Sequence, residues 1–173
     1  MRILMLLAVI AALVAPVAAF ADAAPTPATT ANGLCKATQA AMGAKLFSQT
    51  YGANAFGKCV SKSATAAQQV VSNAAKTCKA LQADANFAAA HGGKTFNQFY
   101  GSTSKGKSAD ANAYGKCVSQ AVSASVAAHA KVTTSAAKTC KAALKASAVD
   151  FATKWGKTSS AFGKCVAATS ATK

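Results

Sequence analysis

Small or apolar residues stand at positions 60, 64, 67, 71, 74, 78, 81, 85 and 88, an alternation of steps of four and three. That spacing keeps them on one face of a helix and predicts a long amphipathic helix with a narrow, alanine-rich seam. Neither 60–90 nor 118–149 contains glycine or proline, so each is expected to run as a continuous helix. Shorter patterns flank them. Phe47 and Tyr51, Phe96 and Tyr100, and Phe151 and Trp155 stand four apart, each pair on one helix face. The glycine that follows each pair, Gly52, Gly101 or Gly156, is a natural helix terminator. Four residues before each phenylalanine lies Gly43, Gly92 or Ser147, an acceptable helix start. Asp150, three residues after Ser147, resembles the acid of a capping box.

These elements recur in a fixed order. Ala55-Phe56-Gly57-Lys58-Cys59-Val60-Ser61 returns as Ala113-Tyr114-Gly115-Lys116-Cys117-Val118-Ser119 and as Ala161-Phe162-Gly163-Lys164-Cys165-Val166-Ala167. Asn54, Asn112 or Ser160 precedes each copy, in an N-cap position. Upstream of each aromatic pair stands Cys-Lys-Ala, at Cys35, Cys78 and Cys140. Three units result, at about 35–61, 78–119 and 140–167, each with one helical piece per cysteine and one for the aromatic pair. The middle unit departs from the others by extra residues before Phe96 and a longer loop over 102–111. The expected fold is all-α: three short disulfide-stapled helical units connected by two long alanine-rich helices.

The ends of the chain read differently. Arg2, the apolar run 3–14, Pro16 and Ala19-Phe20-Ala21 form an export signal cleaved after residue 21. Residues 22–32, with Pro25, Pro27 and several threonines, are expected to be a flexible leader, and 33–173 the helical repeat domain.

The repeats resemble those of a group of secreted bacterial proteins that carry Cys…Phe-x-x-x-Tyr-Gly…Asn-Ala-Phe-Gly-Lys-Cys-Val-Ser. The likeness spans 35–166. It is specific in Asn54 to Ser61 and Asn112 to Ser119, and looser in Ser160 to Ala167. It implies a stapled helical architecture and export; that group has no assigned activity, so it implies nothing about chemistry.

Six cysteines in an exported chain point to disulfides. If the long helices form, Cys59 and Cys78 lie nineteen residues apart on one rod, about 28 Å at ~1.5 Å per residue. Cys117 and Cys140 are farther apart still. A disulfide needs Cα atoms within roughly 4.4–6.8 Å, so neither pair can bond. Pairing within units is the simplest scheme left: Cys35–Cys59, Cys78–Cys117 and Cys140–Cys165. Closely spaced thiols of the kind that hold zinc or run redox exchange are absent from the sequence.

Composition narrows the chemistry. There is no glutamate, and Asp22, Asp84, Asp110 and Asp150 are the only acids. The two histidines, His91 and His129, accompany no nucleophile motif, so acid–base catalysis has almost nothing to work with. No catalytic residue, cofactor or metal is expected. About a quarter of the chain is alanine, which buries little area. The nine repeat aromatics Phe47, Tyr51, Phe56, Phe96, Tyr100, Tyr114, Phe151, Trp155 and Phe162 therefore read as miniature cores beside the staples. Stacking on bases or sugars is their rival role.

Lysine is the abundant resource. The net charge is +15, and the single arginine lies in the export signal. A field positive over most of the surface attracts polyanions without selecting among them, because lysine lacks the bidentate fork of arginine. Lys94, Lys105 and Lys107 form the densest candidate patch. The expected function is that of a secreted, non-enzymatic cationic protein of the cell envelope. Its candidate partners are anionic envelope polymers, extracellular nucleic acid or anionic lipid surfaces. A membrane-active protein and a purely structural helical array are the alternatives.

Overall fold

In the computed structural model, residues 24–101 and 112–171 are described. They form eight helices and, among the described residues, no strand. The expected long helices are α3 (Ala55–Ala83) and α6 (Ala113–Ala146), rods of roughly 43 and 51 Å. The remaining helices are α1 (Pro27–Met42), α2 (Ala44–Tyr51), α4 (Phe87–Ala90), α5 (Phe96–Tyr100), α7 (Ala148–Trp155) and α8 (Ala161–Ala171). The expected export signal, residues 1–21, lies outside the described residues.

Most boundaries follow the capping chemistry, with five differences. The leader does not stay extended to residue 32. Pro27 sits in the first turn of α1, Thr26 and Thr29 cap it reciprocally, and Thr30 and Ala31 are already buried. Thr95, not Gly92, starts the middle aromatic helix, because its hydroxyl accepts from the Gln98 N–H while the Gln98 side chain accepts from the Thr95 N–H. Helix α3 stops at Ala83 rather than running on to 90. The Asp84 carboxylate accepts the Asn86 N–H at 2.8 Å, a local turn that competes with helix, and Phe87 restarts the chain in α4. Helix α6 stops at Ala146 rather than running on to 149, because Ser147 ends it and starts α7. Asn54 and Asn112 do precede α3 and α6, but their side chains make no capping bond. Both adopt the left-handed conformation, with φ of 53° and 70°, that asparagine tolerates better than most residues.

At the third unit Ser147 caps α7 by accepting the Asp150 N–H at 3.1 Å. Gly52 and Gly156 end α2 and α7 at φ of 74° and 96°, a conformation that a side chain would strain.

Helix α1 lies along both α3 and α6. It runs against α3, since Cys35 bonds Cys59 while the earlier residues Ala31 and Leu34 pack with Ala67. It runs with α6, since Gly33, Thr38 and Ala41 meet Val126, His129 and Lys141 in turn. Alanines line the close approaches: Ala67, Ala74, Ala136 and Ala137 are all buried.

Larger side chains gather at the two ends of this bundle. One cluster holds Ala74, Cys78, Phe87, Phe96, Cys117 and Val122, the core of the middle unit. The other combines the first and third units in one core, with Cys35, Phe47, Cys59, Cys140, Phe151, Phe162 and Cys165. The units are therefore not three beads in chain order. Helix α3 carries the chain away from the first unit and α6 returns it by a similar length, so the third unit lands on the first.

Candidate functional site

All three disulfides join the cysteines of one unit, with Cα separations of 5.8 Å for Cys35–Cys59, 5.9 Å for Cys78–Cys117 and 6.0 Å for Cys140–Cys165. Closing loops of this length contributes about 3–4 kcal/mol each by chain entropy. The repeated Gly-Lys before the second cysteine has a structural role that the sequence did not disclose. The Lys58 ammonium lies against Gly52 and the Lys164 ammonium against Gly156, beside the C-terminal ends of α2 and α7. A cation there meets the negative end of the helix dipole. The preceding glycine serves two ends. Gly57 leaves room for the Asn54 side chain, whereas Gly163 receives the Thr50 side chain from the first unit.

The aromatic residues divide by burial. Phe47, Phe96, Phe151 and Phe162 are buried; Tyr51, Phe56, Tyr100 and Trp155 are partly buried against the same clusters. Burial pushes the Tyr51 hydroxyl above its ordinary pKa. Tyr114 departs from this pattern: it is 38% exposed, and its hydroxyl donates to the Ala75 carbonyl at 3.1 Å, tying α6 to α3. The middle unit has an additional ring cluster. Phe87 stacks on His91 at 3.8 Å, and Phe99, 45% exposed, packs edge-on to both. His91 Nδ1 is 2.8 Å from the Phe87 carbonyl, which holds the imidazole in this stack. His129 sits between α1 and α6, its Nε2 at 3.3 Å from both Thr38 Oγ1 and Thr133 Oγ1, and burial lowers its pKa. The two histidines are thus built into separate packing sites.

The lysines stay outside. Every described lysine is exposed except Lys116, which is partly buried. Lys62 lies 5.7 Å from the Tyr51 ring centre and Lys154 5.3 Å from that of Trp155, covering the open faces of these rings. The Lys141 ammonium donates to the Ala41 carbonyl at 3.4 Å, at the C-terminus of α1. The described aspartates, Asp84 and Asp150, are both exposed. Of the expected lysine patch, Lys94 is exposed just ahead of α5, while Lys105 and Lys107 lie outside the described residues. An open groove of about 410 Å³ runs along α6, lined by Ala130, Lys131, Thr134, Ser135 and Lys138.

Among the described residues no helix is long and apolar enough to cross a membrane, and no three metal-ligating side chains gather. Compared with known protein families, curated proteins and solved structures, the chain shows no significant match.

Proposed function

We propose that this is a secreted, non-enzymatic cationic protein that associates with anionic polymers of the cell envelope through its lysine surface. One observation carries the reading: the described lysines face outward over all the longer helices, against two aspartates, Asp84 and Asp150, among the described residues. Such an excess makes attraction to a polyanion long-ranged and dependent on counterion release. The three disulfides suit the oxidising conditions outside the cytoplasm, and they hold the small cores at both ends of the bundle. A membrane-inserting role fits less well, because the apolar seams of α3 and α6 are turned inward against α1 and each other.

The test is retention of the mature, oxidised protein on an anionic matrix across a salt series. Retention at low salt should fall steeply as the screening length shrinks from about 10 Å at 0.1 M to about 3 Å at 1 M. Failure to bind at low salt refutes the reading, and salt-insensitive binding to one sugar replaces it with specific recognition.

A further inference from the structure

Helix α6 contains no acidic residue, and its second half carries Lys131, Lys138, Lys141 and Lys145. Steps of seven, three and four residues hold these side chains within an arc of about 80° on the helix. All four are exposed, while Thr133, Ala136, Ala137 and Cys140 on the opposite side are buried. The core therefore fixes the rotation of the helix and points Lys131, Lys138 and Lys145 outward as a line of roughly 21 Å, with Lys141 at its edge and turned toward the Ala41 carbonyl. Two features make this line firmer than a chance run of surface charge. The Cys140–Cys165 bond anchors the helix between Lys138 and Lys141. The groove between Lys131 and Lys138 adds Thr134 and Ser135 to its lining.

We propose that this stripe is the docking line for a single extended polyanion of the polyphosphate type, a chain of linked phosphates without bases. The proposal rests on the polyanion reading above and deepens it. A line of point charges suits one extended chain, whereas a lipid surface would engage a plane of charges. The stripe contains no aromatic side chain, so the base stacking that strengthens single-stranded nucleic-acid binding has no platform here. Lysine ammonium groups accept phosphates from many directions, which a flexible chain exploits.

The experiment uses the full mature protein with long-chain inorganic polyphosphate as probe. Three triple variants remove equal charge: Lys131→Gln/Lys138→Gln/Lys145→Gln on the stripe, Lys94→Gln/Lys105→Gln/Lys107→Gln at the middle loop, and Lys36→Gln/Lys62→Gln/Lys79→Gln scattered elsewhere. Lys141 is left in place because it holds the end of α1. Circular dichroism checks that helix content is unchanged. The stripe triple should weaken binding at least ~10-fold more than either other triple. It should also flatten the slope of log affinity against log salt by about 2, at ~0.7 per lost phosphate contact. Equal losses from all three triples, or a larger loss from the loop triple, overturn the stripe while leaving the polyanion reading intact. Absence of binding by the unaltered protein overturns that reading itself. Tighter binding to oligothymidine of matched charge, or to phosphatidylglycerol-containing vesicles, overturns polyphosphate as the occupant.

Discussion

Replacing Gly163 with alanine tests whether the first and third units form one core. Gly163 lies in α8, where alanine is intrinsically better than glycine by roughly 0.5–1 kcal/mol. In an isolated helix the change would stabilise. Here a Cβ at Gly163 would collide with Thr50 Cγ2 from α2, and it would lie 3.2 Å from Thr50 Oγ1 and 3.3 Å from Thr50 Cβ. Thr50 cannot swing away without cost, since its hydroxyl donates to the Leu46 carbonyl at 2.8 Å. Overpacking of this kind costs about 1–3 kcal/mol. Set against the helix gain, Gly163→Ala should destabilise by about 1–2 kcal/mol. Thr50→Ala removes the colliding atoms and leaves only the Cβ contact, which a shift of a few tenths of an ångström relieves. The double variant should therefore recover most of the loss, with a coupling energy on the order of 1–2 kcal/mol. Urea unfolding of the four proteins, with disulfides intact, measures the cycle. Additivity within about 0.5 kcal/mol, or stabilisation by Gly163→Ala alone, would show that α2 does not dock on α8 and that the units are independent. Gly57→Ala is the control. Its Cβ would meet the amide end of the Asn54 side chain, Nδ2 at 2.8 Å, Oδ1 at 3.0 Å and Cγ at 3.1 Å, and this side chain makes no capping bond that would keep it from rotating away.

Phe47→Ala and Phe151→Ala should each cost about 3–5 kcal/mol and combine non-additively, because both rings sit in the shared core; fully additive losses in urea unfolding would contradict it. Phe96→Ala should instead raise amide exchange mainly in α4 and α5, and uniform loosening of both ends would count against two separate clusters. Thiol titration of the native protein should find no reactive cysteine, and reduction should lower the melting temperature; a native thiol signal would refute the three staples. Burial holds the His129 pKa below its ordinary 6.5, so its stabilising contribution is present above that value and is lost as pH falls through the depressed folded-state pKa. The urea midpoint should thus decline on acidification below about pH 6.5, and less so in His129→Gln; identical pH profiles would exclude the effect.

Much of the local architecture is legible along the chain, because it depends on contacts within a few residues. The glycines at 52 and 156 end helices by their conformation, and Ser147 caps α7 with a side chain that reaches only three residues ahead. The errors arise where two local signals compete. Thr95 outranks Gly92 because Thr95 and Gln98 satisfy two backbone groups reciprocally, and Asp84 breaks a helix that the alanine seam alone would continue. The leader is the opposite case. Its composition suits an extended chain, yet Thr26 caps a helix whose first buried residues lie against the bundle.

The sequence by itself determined the two long helices and their charge, and it excluded two disulfide pairings, since a fixed rise per residue makes a bond between the two ends of a single rod impossible; which of the remaining pairings forms was decided by the tertiary structure. Whether the rods lie side by side was decided only in three dimensions. Alanine seams are nearly interchangeable, so their spacing specifies a buried face without naming the helix that covers it. The insertion of α1 between α3 and α6, and the return of Cys140 to the neighbourhood of Cys59, set the rest. They bring Phe47, Phe151 and Phe162 into one core, give Gly163 a task that Gly57 does not have, and turn the lysines of α6 toward solvent.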